Sequence, residues 1–392
     1  MSRKFYFSFL AFALTLAATV AFVVGHGTAT RAASTNAALA ALPASDFVVY
    51  FDVQRALNET LPTMLASNPP LLAKMNARLD EFQKKTGINP RAFESIAVGG
   101  RVSPANPRDS RTVFIARGSF NADELLENAF ATAKANGEKF QKEEQSYEGK
   151  RIILISHARG TKDEAGTSAK STTATPQADT ATTPPAPPVT GEGFGPGKDA
   201  KESKRPALEV LEGTPSVKVR GRDALAIAVL DNNTLAIGEL ESVRAAIDAS
   251  LGRERVDDEL VRLATQTPNA VVGFSGKIPQ ELSRKASPNI SFEKYFASIR
   301  EFYGSFNANG TDAETLVTLR TDTAEQASEI GQALNAIKSL SALSGIASGG
   351  NGAKADSIAD VLKGLSITTQ GNEVQIDVKV PQGSFAPLVH TF

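Results

Sequence analysis

Lys150–Ser156 reads KRIILIS and Ala224–Leu230 reads ALAIAVL. Each is a short aliphatic run with the composition of a buried strand. Between them lies a polar, proline-rich tract, roughly His157 to Pro215. Its middle, Thr172–Gly197, is TTATPQADTATTPPAPPVTGEGFGPG. So few large apolar side chains cannot offset the entropy of ordering the tract, so it is expected to be a long disordered loop. It is either a hinge between domains or a loop thrown out of one. Closing a loop costs only about 0.6 kcal/mol per doubling of its length. A long excursion between neighbouring strands is therefore tolerable, and the loop reading is adopted.

Working outward, the elements on each side run in a repeated order. Asp46–Val53 (DFVVYFDV) reads as a strand with Phe47, Val49, Phe51 and Val53 on one face. Leu72, Met75, Leu79 and Phe82 recur at helical spacing up to Gly87. Ser95–Val102 and Arg111–Arg117 read as a strand pair. Asn121 is placed to cap a helix with Leu125, Leu126, Ala129, Phe130 and Ala133 inward, ending at Gly137. Ala224–Leu230 and Thr234–Leu240 form a hairpin turning at Asp231-Asn232-Asn233. The next helix carries Val243, Ala246, Ile247 and Leu251 inward, and a short one covers Asp257–Thr265.

Thr267–Leu282 (TPNAVVGFSGKIPQEL) then echoes Leu42–Leu57 (LPASDFVVYFDVQRAL). A helix over Ser291–Glu301 is expected next, followed by strands near Tyr303–Ala308 and over Glu314–Thr321. A long helix from Thr323 has Ala327, Ile330, Leu334, Ile337 and Leu340 inward, and a second helix is expected over Ala355–Leu362. Ser366–Thr369 and Glu373–Val380 close the pattern as a hairpin. The alternation in EVQIDVKV implies that one face is wet. The expected fold class is α+β: two related units of mainly antiparallel sheet packed with helices. The first unit spans 42–266 with the loop 157–215 inserted, and the second spans 267–392.

Thr234-Leu-Ala-Ile-Gly238, Val243 and Ala246-Ile247, with the opening Leu42-Pro-Ala-Ser-Asp46, resemble a class of exported bacterial proteins catalogued only as domains of unknown function. The resemblance implies an exported α+β protein. It carries no assigned activity, and no functional residue transfers from it.

The N-terminus gives the destination. Arg3 and Lys4 precede the apolar run Phe5–Gly25, and small residues follow around Ala29–Ser34. Residues 1–33 are thus a signal peptide, or else a retained membrane anchor helix. In either case the positive start stays inside and the body lies outside the cytoplasm, periplasmic or anchored.

Composition narrows the chemistry. Lys and Arg number 42 against 43 Asp and Glu, without a basic run, which argues against nucleic-acid binding. The chain has no cysteine. That removes disulfides, thiolate nucleophiles and Cys-ligated metals. The three histidines, His26, His157 and His390, have no metal spacing, and no metal or cofactor is expected.

Ser291-Phe292-Glu293-Lys294 places Ser291 and Lys294 one helical turn apart, where an amine could activate a hydroxyl. This is the Ser-x-x-Lys pattern of penicillin-binding proteins. Lys85-Thr86-Gly87 and Ser305-Phe306-Asn307 supply loose counterparts of its other motifs, but in the wrong order. The competing reading makes Ser291 a helix N-cap. The glycine runs Gly191–Gly197 and Gly349–Gly352 read as linkers. Asp257-Asp258-Glu259 reads as the first turn of a helix, not a calcium site.

Phe292, Tyr295, Phe296, Phe302 and Tyr303 are expected around one helix as core, with Tyr295 at an edge where an apolar ligand or interface could use it. The leading functional reading is an exported, non-catalytic binding or assembly protein of the cell envelope. Its partner would be an envelope protein or an apolar ligand. The alternatives are a serine hydrolase using Ser291 and Lys294, and a membrane-anchored structural spacer.

Overall fold

The computed structural model describes residues 37–66, 68–103, 106, 109–157, 224–281, 295, 297–308, 312–347 and 362–381. The segment expected to be a signal or anchor, the polar tract beyond His157, Ser291–Lys294 and the glycine run after 347 lie outside the described residues.

Twelve strands form one sheet. They are β1 (Phe47–Asp52), β2 (Phe93–Arg101), β3 (Arg111–Gly118), β4 (Phe140–Tyr147), β5 (Lys150–His157), β6 (Leu225–Asp231), β7 (Thr234–Gly238), β8 (Val272–Lys277), β9 (Ile299–Ala308), β10 (Asp312–Thr321), β11 (Leu365–Gln370) and β12 (Glu373–Pro381). Their order is β11-β12-β10-β9-β8-β1-β2-β3-β7-β6-β5-β4, and every neighbouring pair is antiparallel. β5 pairs directly with β6, Ile152 opposite Ala228 and Ile155 opposite Leu225. The two stretches that opened the sequence reading are therefore neighbours. β1 and β8 join the two halves at the centre, Phe47 opposite Gly276 and Phe51 opposite Val272. The architecture is α+β, as expected.

The helices are a helical run α1 (Val53–Arg55, a π-turn Ala56–Thr60 and Leu61–Met64), α2 (Pro69–Thr86), α3 (Ala122–Ala135), α4 (Leu240–Ser250), α5 (Asp258–Ala264) and α6 (Ala324–Ala347). Their ends follow local chemistry. Asn68 and Asn121 accept backbone N–H groups at the starts of α2 and α3. Gly87 ends α2 at φ +72°, a conformation that favours a residue without Cβ.

One face of the sheet packs Val48, Tyr50, Ala97, Ile115, Ile152 and Ala236 against α4 and α5. Ala38, Leu39 and Leu42 belong to the same core and are fully buried, so the alanine-rich lead-in is part of the folded body. The opposite face carries α1 and α2 over the middle, α3 over β5–β7 and α6 over β10–β12. β12 alternates as its sequence implies. Val374 is buried while Gln375 and Lys379 are exposed.

Several expectations are corrected. Val53 starts α1, because the Asp52 carboxylate accepts the Arg55 N–H and turns the chain. Leu251 is at the end of α4 and 46% exposed. Ile337 and Leu340 of α6 are exposed, because α6 runs past the last strand able to cover them. Residues 299–301 are strand, not helix. β9 pairs on both sides through Ile299–Ala308, so Phe302 and Tyr303 point to opposite faces instead of sharing a helical stripe. β4 (FQKEEQSY) was not anticipated at all. It is an edge strand with a mostly exposed, charged surface, and so lacks an apolar alternation.

Candidate functional site

An apolar cleft lies under α3. Its roof is Leu125, Leu126, Ala129, Phe130 and Ala133, the five residues that helical spacing turned inward. Its floor is Ile155 of β5, Leu225 and Ile227 of β6, and Leu235 and Ile237 of β7. Phe82 and Thr86 of α2 close one side with Ile88 and Phe93. Glu138, Lys139 and Phe140 complete the lining where α3 turns into β4. The cavity measures about 110 Å³. Only Thr86, Glu138 and Lys139 in the lining are polar, and the Thr86 hydroxyl is already donated to the Phe82 carbonyl at 2.8 Å.

The walls are held by identifiable contacts. A Cβ on Gly87 would come within 2.5 Å of Thr132 Oγ1 and 2.8 Å of the Asn128 carbonyl, so the end of α2 presses against α3. Asn136 at the end of α3 donates to the Lys85 carbonyl at 2.8 Å. Phe130 and Phe140 pack in a tilted pair with ring centroids 5.7 Å apart, and Lys142 Nζ lies 4.9 Å from the Phe130 centroid.

Carboxylates converge elsewhere, on the open face of the second half. Arg320 Nη1 meets Glu301 Oε2 at 2.6 Å, its Nη2 meets Glu373 Oε1 at 2.9 Å, and Glu259 Oε1 is 3.9 Å away. Tyr303 is buried and donates to Glu373 at 2.9 Å. Burial pushes the Tyr303 phenol up, and its bond to the Glu373 carboxylate pushes it further the same way. It therefore stays a proton donor near neutral pH. Glu259 is held below the usual carboxylate range, chiefly by its hydrogen bonds from Arg262. A guanidinium paired with Glu301 and Glu373 suits a structural network better than general-acid work.

The residues singled out in the sequence are dispersed. Ser291 and Lys294 lie outside the described residues. Tyr295 is half-buried against the cluster of Ile299, Ile330 and Val374 beneath α6. Lys85 pairs with Glu81 at 2.6 Å on the exposed side of α2, and Gly87 is the cap of that helix. Ser305 of β9 donates to Thr267 Oγ1, in the connection between α5 and β8, at 2.8 Å. Asp257 accepts the Glu259 N–H at the start of α5, as expected of a helix cap. No group of three or more His, Cys, Asp or Glu residues suited to a metal occurs among the described residues. No described helix is long and apolar enough to cross a membrane.

Sequence reading placed the roof of the cleft but missed the cleft itself. Its floor comes from Ile155, about 20 residues past the helix, and from β6 and β7, about 90 residues and more past it, which no local period reports.

No family model and no curated protein matches the chain. Among solved structures it is similar to TP0453 in crystal forms III, I and IV, each at 9% identity. The TM-scores are 0.40, 0.37 and 0.39. The matches cover 90% of this chain and 98%, 96% and 95% of the others. At that distance the likeness assigns no function.

Proposed function

We propose that this is an exported, non-catalytic binding protein whose cleft under α3 takes a small apolar ligand. The observation that carries the reading is the cleft itself: about 110 Å³, walled by aliphatic and aromatic side chains, with its few polar groups at the margin. Apolar cavities of about this size accept a single ring or a short alkyl segment. Export rests on Arg3, Lys4 and the apolar run Phe5–Gly25, cleaved or kept as an anchor. The two halves are read as related units. Outward from the central pair the strands run β1-β2-β3-β7-β6 one way and β8-β9-β10-β12-β11 the other. That mirrored order supports a duplication in which β4, β5 and the polar tract are an addition to the first half.

Octanoate and octanol are suitable probes, one with a charged head and one without. Both are expected to raise the thermal unfolding midpoint of the full chain. Ala129→Phe, filling the cleft from its roof, should abolish the rise. Because the chain has no cysteine, Ala129→Cys gives a single labelling site. Octanol should slow its reaction with a maleimide. Absence of both the midpoint shift and the protection would refute the reading.

A further inference from the structure

On the opposite face of the sheet a second, polar cleft of about 150 Å³ lies between the start of α4 and the ends of β2 and β3. We propose that it binds an oxyanion, a phosphate or carboxylate group, independently of the apolar cleft. Three observations converge there.

Arg101 and Arg111, both in its lining, are direct cross-strand partners in the β2–β3 ladder. Like charges directly opposed destabilise a sheet. Neither has a carboxylate partner among the described residues. Arg101 reaches only the Ala44 carbonyl, at a long 3.4 Å.

α4, an 11-residue helix, begins at this cleft without a side-chain cap on its first N–H groups. Its preceding residue, Glu239, makes no capping hydrogen bond. The leading N–H groups of α4 therefore present partial positive charge and unused donors.

Ser242, in the first turn of α4, also lines the cleft. It is only 5% exposed, yet its hydroxyl has no hydrogen-bond partner. A buried hydroxyl without a partner is costly, and a χ1 rotation that turned it toward the cleft would give it an anion as acceptor. Gly99 lets the wall pack closely here: a Cβ on it would meet Ser45 Oγ at 2.7 Å.

Two acids border the same cleft. Glu241 is paired with Arg244 at 3.2 Å, and Glu254 is exposed. Their charge disfavours an extended polyanion and leaves a single oxyanion group as the fitting ligand.

The test is thermal unfolding and titration calorimetry of the full chain with inorganic phosphate, glycerol phosphate or acetate, ionic strength being held constant with chloride. Wild type is expected to respond to at least one of them. A response to inorganic phosphate alone means a free ion, a response to glycerol phosphate as well means a headgroup-like ester, and a response to acetate alone means a carboxylate ligand. Arg101→Gln with Arg111→Gln should weaken that binding by roughly tenfold or more per guanidinium lost. Ser242→Ala should weaken it by about twofold to tenfold. Without anion the double variant should unfold no earlier than wild type, since the opposed charges are gone, which separates lost binding from lost folding. Arg91→Gln, remote from the cleft, should bind as wild type does. No specific response to any of the three anions, or an equal response in the double variant, would overturn the proposal.

Discussion

Arg55 is 6% exposed and sits where β1 turns into α1. Its Nη1 donates to the Asn269 carbonyl at 2.7 Å, and its Nε lies 3.7 Å from Asp52, which is itself buried. Asn269 holds φ +63°, a left-handed conformation that asparagine tolerates better than most residues. One cation thus ties the first half to the entry of β8. Arg55→Leu is expected to cost about 3 kcal/mol or more, because Asp52 is left buried without its cation. A denaturant-unfolding cycle with Asp52→Asn should show the two losses to be non-additive. Gly273 of β8 offers a cleaner steric case. An added Cβ would lie 1.8 Å from the Ala264 carbonyl oxygen at the end of α5. Gly273→Ala should therefore destabilise by roughly 2 kcal/mol or more, since backbone must move. An unchanged denaturation midpoint would contradict that packing.

At the level of elements, α5 shows how charge and capping combine. Asp257 caps the helix and is paired with Lys277 of β8. The Lys277 ammonium, and then the Glu259 N–H, hold the Asp257 carboxyl below its ordinary value. Folding therefore favours the ionised form. The contribution is fully present above the unfolded pKa and is lost as pH falls through the lower folded value. Lys277→Gln should flatten the acid limb of a stability-versus-pH curve measured by denaturant titration, and leave the slope near neutral pH unchanged.

α6 divides along its length. Ile330 is 4% exposed and Leu340 is 65% exposed. Ile330→Ala should cost about 2–4 kcal/mol, while Leu340→Lys should stay within about 0.5 kcal/mol of wild type. The 3.6-residue period through Ala327, Ile330 and Leu334 revealed the helix. It could not reveal where the sheet beneath stops, so Ile337 and Leu340 were read as inward. Around residue 299 the period misled differently. Aromatic residues close together satisfy either periodicity, and pairing of β9 with both β8 and β10 decided for strand.

For the whole molecule the decisive contact is β5 with β6, which closes the chain across the polar tract. Replacing residues 160–220 by a short linker of about six residues is expected to preserve the fold. Shortening the loop about tenfold should stabilise by about 2 kcal/mol through reduced closure entropy. Loss of the cooperative unfolding transition would show that the tract is needed for folding.

By itself the sequence determined most strands and helix ends, the alternation of β12, the roof of the apolar cleft and the narrow choice of chemistry. Those are local matters of side-chain period, capping and composition. Only the tertiary structure decided that both halves share one sheet, that α3 closes over β5–β7, and that Arg101 and Arg111 stand opposite each other beside Ser242. Register and helix placement depend on contacts between residues far apart in the chain, and no local pattern encodes a distant partner.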